Sequence, residues 1–478
     1  MSDERLEVLR KERDFLGEKE IPANVYYGIH TARAKENFPV TFRLGYRIHP
    51  ELIRAYAMVK KACALALMQL GYLEVDKARA IIKACDELIE GKWHEHVVVD
   101  PFQGGAGTSL NMNINEIIAN RASEILGKKV HPLDDVNRMQ STNDTFPTAA
   151  RIAAIFLLRQ LTAVVGELQQ ALEDKEREFA GVLKLGRTEM QDAVPITLGQ
   201  EFSAYADAIA RDRWRLYKVE ERLRQINLGG TAVGTGLNAD LRYIHLVIQR
   251  LRDITGLNLA KADNLIDPTQ NWDVFAEVHG LLKALAVNLY KISNDLILMS
   301  SFKEIQLPAV QAGSSIMPGK VNPVILECVK QVAVRVISND VAINFATAHG
   351  QLELNALAPL IVHTMLESLE ILTNAVEVMV EKCIRGIKAN EEMCRYYLER
   401  SPALITPLAP YLGYDKAAEI AKEAMEKGKT IREVLKEKGL FSENELEVLL
   451  SPQELVKPGI AGEGKVDRKI VSREYRDY

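Results

Sequence analysis

The densest grouping of reactive side chains lies between Gly313 and Pro323, in the stretch GSSIMPGKVNP. Two adjacent hydroxyls (Ser314, Ser315), a fixed cation (Lys320) and a carboxamide (Asn322) fall within those eleven residues. Gly313 and Gly319 let the chain leave and rejoin its scaffold, and Pro318 stiffens the return. Such a set suits the capture and deprotonation of a small carboxylic acid. A plain Ser/Gly surface loop is the competing reading, and residue types alone leave both open. A second grouping is QGGAGTSLNMNIN, where Gly104, Gly105 and Gly107 precede Thr108, Ser109, Asn111, Asn113 and Asn115. A glycine-rich loop running into a helix can hold an anion. It has no P-loop lysine and no clear strand before it, which argues against a nucleotide. A third polar cluster, QSTND, places Ser141, Thr142 and Asn143 ahead of Pro147.

These loops need a rigid frame, and the pattern between them supplies one. From about Thr148 to Lys388 the periodicity is helical almost throughout. Ile155, Leu158, Leu161, Val165, Leu168 and Leu172 recur at steps of three and four, the mark of one helix face. Similar runs cover Phe202–Ile226, Val274–Met299, Val324–Ile343 and Ala356–Ile384, long enough for a bundle of near-parallel rods. They alternate with short polar loops, among them GRTEMQDA and LGGTAVGTGLNAD. Ahead of them, Pro22–Asn37 reads as loop, and helices are expected from Glu51, over Val75–Ile89 and from about Ile114. Beyond about Cys394 come short helices near Asp415–Lys427, Ile431–Lys438 and Glu443–Leu450, then a polar, mobile tail from Gly462. The expectation is a mainly α chain in three parts. Residues 1–140 form a mixed, mostly helical domain, 141–393 a central helical bundle, and 394–478 a small helical domain with the tail. Bundle helices apolar on more than one face must be buried on most sides, which points to packing against copies of the same chain.

At 478 residues the chain exceeds a single core. A net charge of −5 leaves no basic field for nucleic acid or an anionic membrane. Five scattered cysteines without a CxxC pair suit reduced thiols. The charged N-terminus lacks the apolar core of a signal peptide, and no uninterrupted apolar run has the length of a membrane span. A soluble cytoplasmic protein is expected. His94-Glu95-His96 lacks a third ligand and reads as a solvated loop. His131, His279, His349 and His363 read as packed or surface residues. Gly234-Thr235-Gly236 lacks the strand and acidic residue of a dinucleotide site.

Five separated motifs, QGGAGTS, QSTND, GRT-x-x-QDAVP, GTGLN and GSSIMPGKVNP, together resemble the fumarase/aspartase superfamily, over nearly the whole chain. Within it the likeness is greatest to aspartate ammonia-lyases, with class II fumarases second. The resemblance implies a homotetramer with a central helical bundle and active sites each shared by three subunits. It also implies anti elimination from a succinate-like substrate to give fumarate, with no cofactor and no metal. By motif, Ser314 is the base that takes the β-proton, with Ser315 beside it, and Lys320 and Asn322 bind one substrate carboxylate. Thr108, Ser109, Ser141, Thr142 and Asn143 hold the other carboxylate and the leaving amine, and Thr188 with Glu189 completes the pocket. Preorganised donors must stabilise the aci-carboxylate dianion, each worth on the order of 10²–10³ in rate.

After GRT the family commonly has His or Gln, whereas this chain has Glu189. A carboxylate facing the leaving group attracts an ammonium and gains little from a hydroxyl, which favours an amine substrate. The family's peripheral anion motif His-Pro-Asn-Asp is here His131-Pro132-Leu133-Asp134, and its GPRxG turn is replaced by Phe302-Lys303-Glu304 directly after Ser301. Ala358 stands where many relatives carry a charge. A fumarase, a lyase for another amino-succinate, and a catalytically silent tetrameric scaffold are the alternatives. The scaffold reading predicts damaged motifs, and the hydroxyls of the expected pocket and Lys320 are all present.

Overall fold

The computed structural model describes residues 8–471. The charged N-terminal heptad and the last seven residues of the polar tail lie outside the described residues. The fold is mainly α. An antiparallel hairpin, β1 (Leu9–Asp14) and β2 (Gly17–Pro22), opens it, followed by α1 (Ile29–Asn37), α2 (Pro50–Gln69), α3 (Val75–Ile89) and α4 (Thr108–Leu126). Helix α5 (Thr142–Glu178) leads to the hairpin β3 (Leu183–Thr188) and β4 (Gln191–Thr197), then α6 (Leu198–Leu223). Strand β5 (Gln225–Ile226) pairs in parallel with β6 (Ala260–Lys261) around α7 (Leu241–Thr255). Next come α8 (Asp267–Gln270), α9 (Asp273–Ser301), β7 (Ile305–Gln306), α10 (Val324–Ala348) and α11 (Ala358–Lys382). Strand β8 (Lys388–Ala389) pairs antiparallel with β7, and α12 (Glu391–Arg400) starts the C-terminal helices.

The chain divides into two compact units. The first holds the described residues to Ala163, Asp212–Val287 and Val332–Asn374; the second holds Val164–Arg211, Asn288–Gln331 and Ala375 onward. Each of the five longest helices contributes residues to both. In the first unit, α2 buries Leu52, Ile53, Tyr56, Val59, Cys63 and Leu67 and packs against α3 and α7. In the second, Leu185 joins Leu398, Leu408, Ile420, Leu435, Leu446 and Leu449 in one apolar cluster.

Several local expectations are corrected. The segment expected to be loop contains α1. Its first-turn N–H groups at Gly28, His30 and Thr31 are taken by the buried Glu116 carboxylate of α4, so the cap comes from elsewhere in the chain. Burial pushes that carboxyl up despite these bonds and one from the Thr31 hydroxyl. Helix α4 begins at Thr108, not near Ile114. Gly107, with φ +96°, turns the chain into it, and a Cβ there would lie 2.6 Å from the Phe146 ring. Helix α5 begins at Thr142 and holds Pro147 inside it. Proline frees the carbonyl four residues back, and that carbonyl, of Asn143, accepts from Asn227 Nδ2 at 2.9 Å. The expected polar loop GRTEMQDA is the β3–β4 hairpin, its two tip residues Glu189 and Met190 left-handed at φ +52° and +64°, the sign a two-residue hairpin turn needs. Helix α5 also has the length and composition to span a membrane, although 61% of its apolar window is buried in the fold. The described part of the polar tail is tied down: Gly462 N–H and Lys465 reach the buried Glu454, and Arg468 reaches Glu445.

Candidate active site

In the first unit the structure brings two motif loops together. Asn111, one turn into α4 from Thr108, donates to Thr142 Oγ1 at 3.0 Å. Thr108 Oγ1 donates to the Gly105 carbonyl at 2.7 Å, and Ser109 beside it is buried. Ser141 Oγ accepts from the Asn143 N–H at 3.2 Å, and Asn143 Nδ2 donates to the Ala232 carbonyl at 2.7 Å. The second bond adds a third motif loop, GGTAVGTGLN. Asp144 fixes that junction: its carboxylate accepts from Ser141 N at 3.0 Å, Gly229 N at 3.1 Å and Thr231 N at 3.0 Å. Burial of this fully enclosed group pushes its pKa up to about 6, against the pull of the three N–H groups.

Beneath this cluster lies a buried cation that the sequence reading passed over. Lys60 on α2 donates to Asn137 Oδ1 at 3.0 Å and Gln140 Oε1 at 2.8 Å. Asn137 Oδ1 also accepts from Asn111 and Asn115. Burial lowers the Lys60 pKa to about 8. The available signal was a lysine pair inside the otherwise apolar run AMVKKACALAL, of which Lys60 is the inward member.

In the second unit Gly313–Pro323 forms a closed loop between β7 and α10. Gly313 N donates to the Lys320 carbonyl at 2.7 Å, and Asn322 Nδ2 donates to the Gly313 carbonyl at 2.8 Å. Ser314 Oγ accepts from Ile316 N at 3.2 Å and Met317 N at 3.0 Å. Two N–H groups aimed at one hydroxyl oxygen favour its anion. Ser315 and Lys320 are exposed, and among the described residues the Lys320 ammonium has neither hydrogen bond nor ion pair. Asn322 also lines a cavity of about 650 Å³ with Lys303, Gln306 and Asn390. Thr188 and Glu189 stand exposed at the tip of the β3–β4 hairpin, a separate element of the same unit.

Of the histidines set aside earlier, His94, His96, His279 and His363 have structural partners, and His349 is exposed. His94 and His96 lie in a 3₁₀ turn rather than a solvated loop, one against the Leu88 carbonyl and the other receiving the Tyr26 N–H. His279 is buried between Asp340 and Ser368, and His363 packs against Tyr46 and Phe102.

Residues 17–338 match the family described as Lyase, and residues 404–457 match Fumarase C C-terminus. The chain therefore belongs to the fumarase/aspartase superfamily of lyases. It is 51% identical to the aspartate ammonia-lyase of a Bacillus sp, over 95% of this chain and 99% of that one. It is 49% identical to that of Bacillus subtilis (strain 168), over 96% and 98%. Among solved structures it is similar to fumarate lyase:delta crystallin from Brucella melitensis bound to cobalt, with TM-score 0.90, 48% identity and coverage of 94% and 100%. The class II fumarase from Schistosoma mansoni has the same TM-score of 0.90 at 33% identity, covering 94% of this chain and 100% of that one.

Proposed function

We propose that this chain is an aspartate ammonia-lyase, a carbon–nitrogen lyase that reversibly eliminates ammonium from L-aspartate to give fumarate. The observation that carries the assignment of the base is the pair of backbone N–H groups on Ser314 Oγ. With Lys320 nearby in sequence, they favour the alkoxide needed to take a proton beside a carboxylate. The electron pair of the Cβ–H bond passes into the adjacent carboxylate, giving the aci-carboxylate. Its return breaks the C–N bond of the substrate ammonium and expels neutral ammonia, which takes up one proton as Ser314 gives back the one it removed, and departs as ammonium.

Lys320 and Asn322 bind one carboxylate, with Ser315 alongside. Thr108, Ser109, Ser141, Thr142 and Asn143 hold the other carboxylate and the amine, and Thr188 and Glu189 close the pocket on the amine side. The working form is a soluble, cytoplasmic homotetramer whose active sites draw on three subunits each, built from the three-part chain expected from the sequence. Exposed Val287 on α9 and exposed Val334, Val341 and Phe345 on α10 support a bundle covered by further copies.

The test is absorbance in the fumarate band with purified protein given L-aspartate or L-malate separately, followed by Ser314→Ala. Fumarate from aspartate alone is expected, and Ser314→Ala should abolish turnover with little change in assembly or unfolding. A tenth of wild-type activity, as a rough bound, would remove Ser314 as the base. Fumarate from malate alone would make the chain a fumarase and leave Glu189 unexplained.

A further inference from the structure

The turn Phe302-Lys303-Glu304 connects α9 to β7 by the shortest route. Lys303 has φ +61°, and the reversal returns Glu304 N to the Met299 carbonyl at 2.9 Å. Glu304 is completely buried. Its Oε1 accepts from Arg187 Nη1 at 2.7 Å, and Lys184 Nζ lies 3.6 Å from Oε2 while also donating to Glu201 at 2.7 Å. The Arg187 guanidinium is stacked over the Phe302 ring at 4.4 Å and the Tyr397 ring at 5.3 Å from their centroids. The Glu304 carbonyl accepts from Asn390 N at 2.8 Å, so the carboxylate rests on a fixed backbone.

Arg187 directly precedes Thr188 and Glu189 at the hairpin tip. The β3–β4 register shifts between Leu185 and Arg187 and pairing resumes at Arg187↔Asp192 and Thr188↔Gln191, so the tip is joined to the main ladder across an irregularity. Only these two pairs hold the tip beyond the irregularity, and the buried ion pair and two rings are placed to steady it further. On the other side, Glu304 leads through β7 into the loop that carries Ser314, Lys320 and Asn322.

We infer that Glu304 is a positioning residue for the reaction: through Arg187 it steadies the position of the paired tip that carries Thr188 and Glu189, and with it the grip on the amine side of the substrate. The inference rests on the function proposed above. Glu304 does not touch substrate; it acts at one remove. Removing its charge leaves Arg187 and Lys184 facing a neutral group, while an isosteric amide keeps the volume filled.

The experiment compares wild type, Glu304→Gln, Glu189→Gln and the double variant by steady-state kinetics on aspartate, using fractions matched for assembly and thermal midpoint. Glu304→Gln should raise KM about tenfold with kcat changed several-fold less, since a tip displaced by a fraction of an ångström loses grip before chemistry. In the double variant the two effects should fall well short of multiplying, because both act on the same tip. A wild-type KM in Glu304→Gln, or strictly multiplicative effects, overturns the inference. If Glu304→Gln does not fold, Arg187→Lys, which keeps the charge but loses the planar stack, must give the same KM rise, and its absence refutes the idea equally.

Hydrogen exchange separates this from failure of the functional reading. If wild type makes no fumarate, the proposed activity falls. Glu304→Gln must still speed exchange at the Thr188–Gln191 amides with α3 unchanged, and equal protection there overturns the positioning role.

Discussion

Replacing Asp144 by Asn tests which force governs the junction of the three motif loops. The carboxylate is fully buried and accepts three backbone N–H groups, two on Oδ2 and one on Oδ1. Asparagine keeps one acceptor, best used toward Gly229 and Thr231, and turns an NH₂ toward Ser141 N–H. That leaves the Ser141 N–H and the new amide NH₂ facing each other, both buried donors without an acceptor, at about 1–3 kcal/mol each. Against this, the substitution removes a buried charge. The carboxyl rises from 3.8 to about 6 on folding, so the folded chain holds its proton more tightly than the unfolded chain. Stability is therefore lost as pH rises from 3.8 through about 6, in total by about 3 kcal/mol at about 1.4 kcal/mol per unit. About half of that falls between pH 5 and 8.

Urea unfolding of both proteins at pH 5, 6, 7 and 8 reads this out by difference: groups that do not sense Asp144 cancel, and Lys60, whose pKa of about 8 the Asp144 charge helps to hold up, moves the difference in the same direction. The stability of Asp144→Asn relative to wild type should improve by about 1 kcal/mol from pH 5 to 8. A flat difference, or one that worsens with pH, would mean that the three N–H groups outweigh desolvation and that the carboxyl is not raised.

Gly234 has φ +91°, and a Cβ there would lie 2.4 Å from Ile266 Cα, a backbone obstacle. Gly234→Ala should cost about 2–4 kcal/mol and lower the thermal midpoint by several degrees; an unchanged midpoint would mean the loop refolds freely. Lys320→Ala should raise KM sharply and lower kcat, removing carboxylate binding and the cation that favours the Ser314 alkoxide, and near-wild-type values of both would void its assignment. Glu189→Gln should weaken aspartate more than malate, measured as KM against the inhibition constant, whereas equal effects would sink the ammonium argument.

The long helices were legible because their apolar spacing is local: Val274–Met299 was expected and Asp273–Ser301 is found. The motif loops were legible as clusters of Gly, Ser, Thr and Asn. What escaped depends on partners distant in sequence. Helix α1 needs Glu116 to cap it, 88 residues beyond Gly28. The start of α5 needs Asn227 to take the carbonyl that Pro147 frees. The hairpin turns on Glu189 and Met190, left-handed without a glycine to announce it. At the site, the hydroxyls and Lys320 are conspicuous in composition. Lys60, Asp144 and Glu304 are not, since each acts through bonds that only the folded chain makes.

The interleaving of the two units along the sequence also bears on how the protein is made. The first unit's last segment ends at Asn374, so a chain still on the ribosome can hold every residue of that unit, with Thr108, Ser141, Thr142 and Asn143 among them. The second unit needs Ala375 onward, and Tyr397, Asn390 and the C-terminal cluster are synthesised last. The hairpin bearing Glu189 and the loop bearing Ser314 emerge long before the helices that steady Arg187 and Glu304. A growing polypeptide would thus complete the unit that carries Thr108, Ser141 and Thr142 before the unit that carries Ser314 and Lys320.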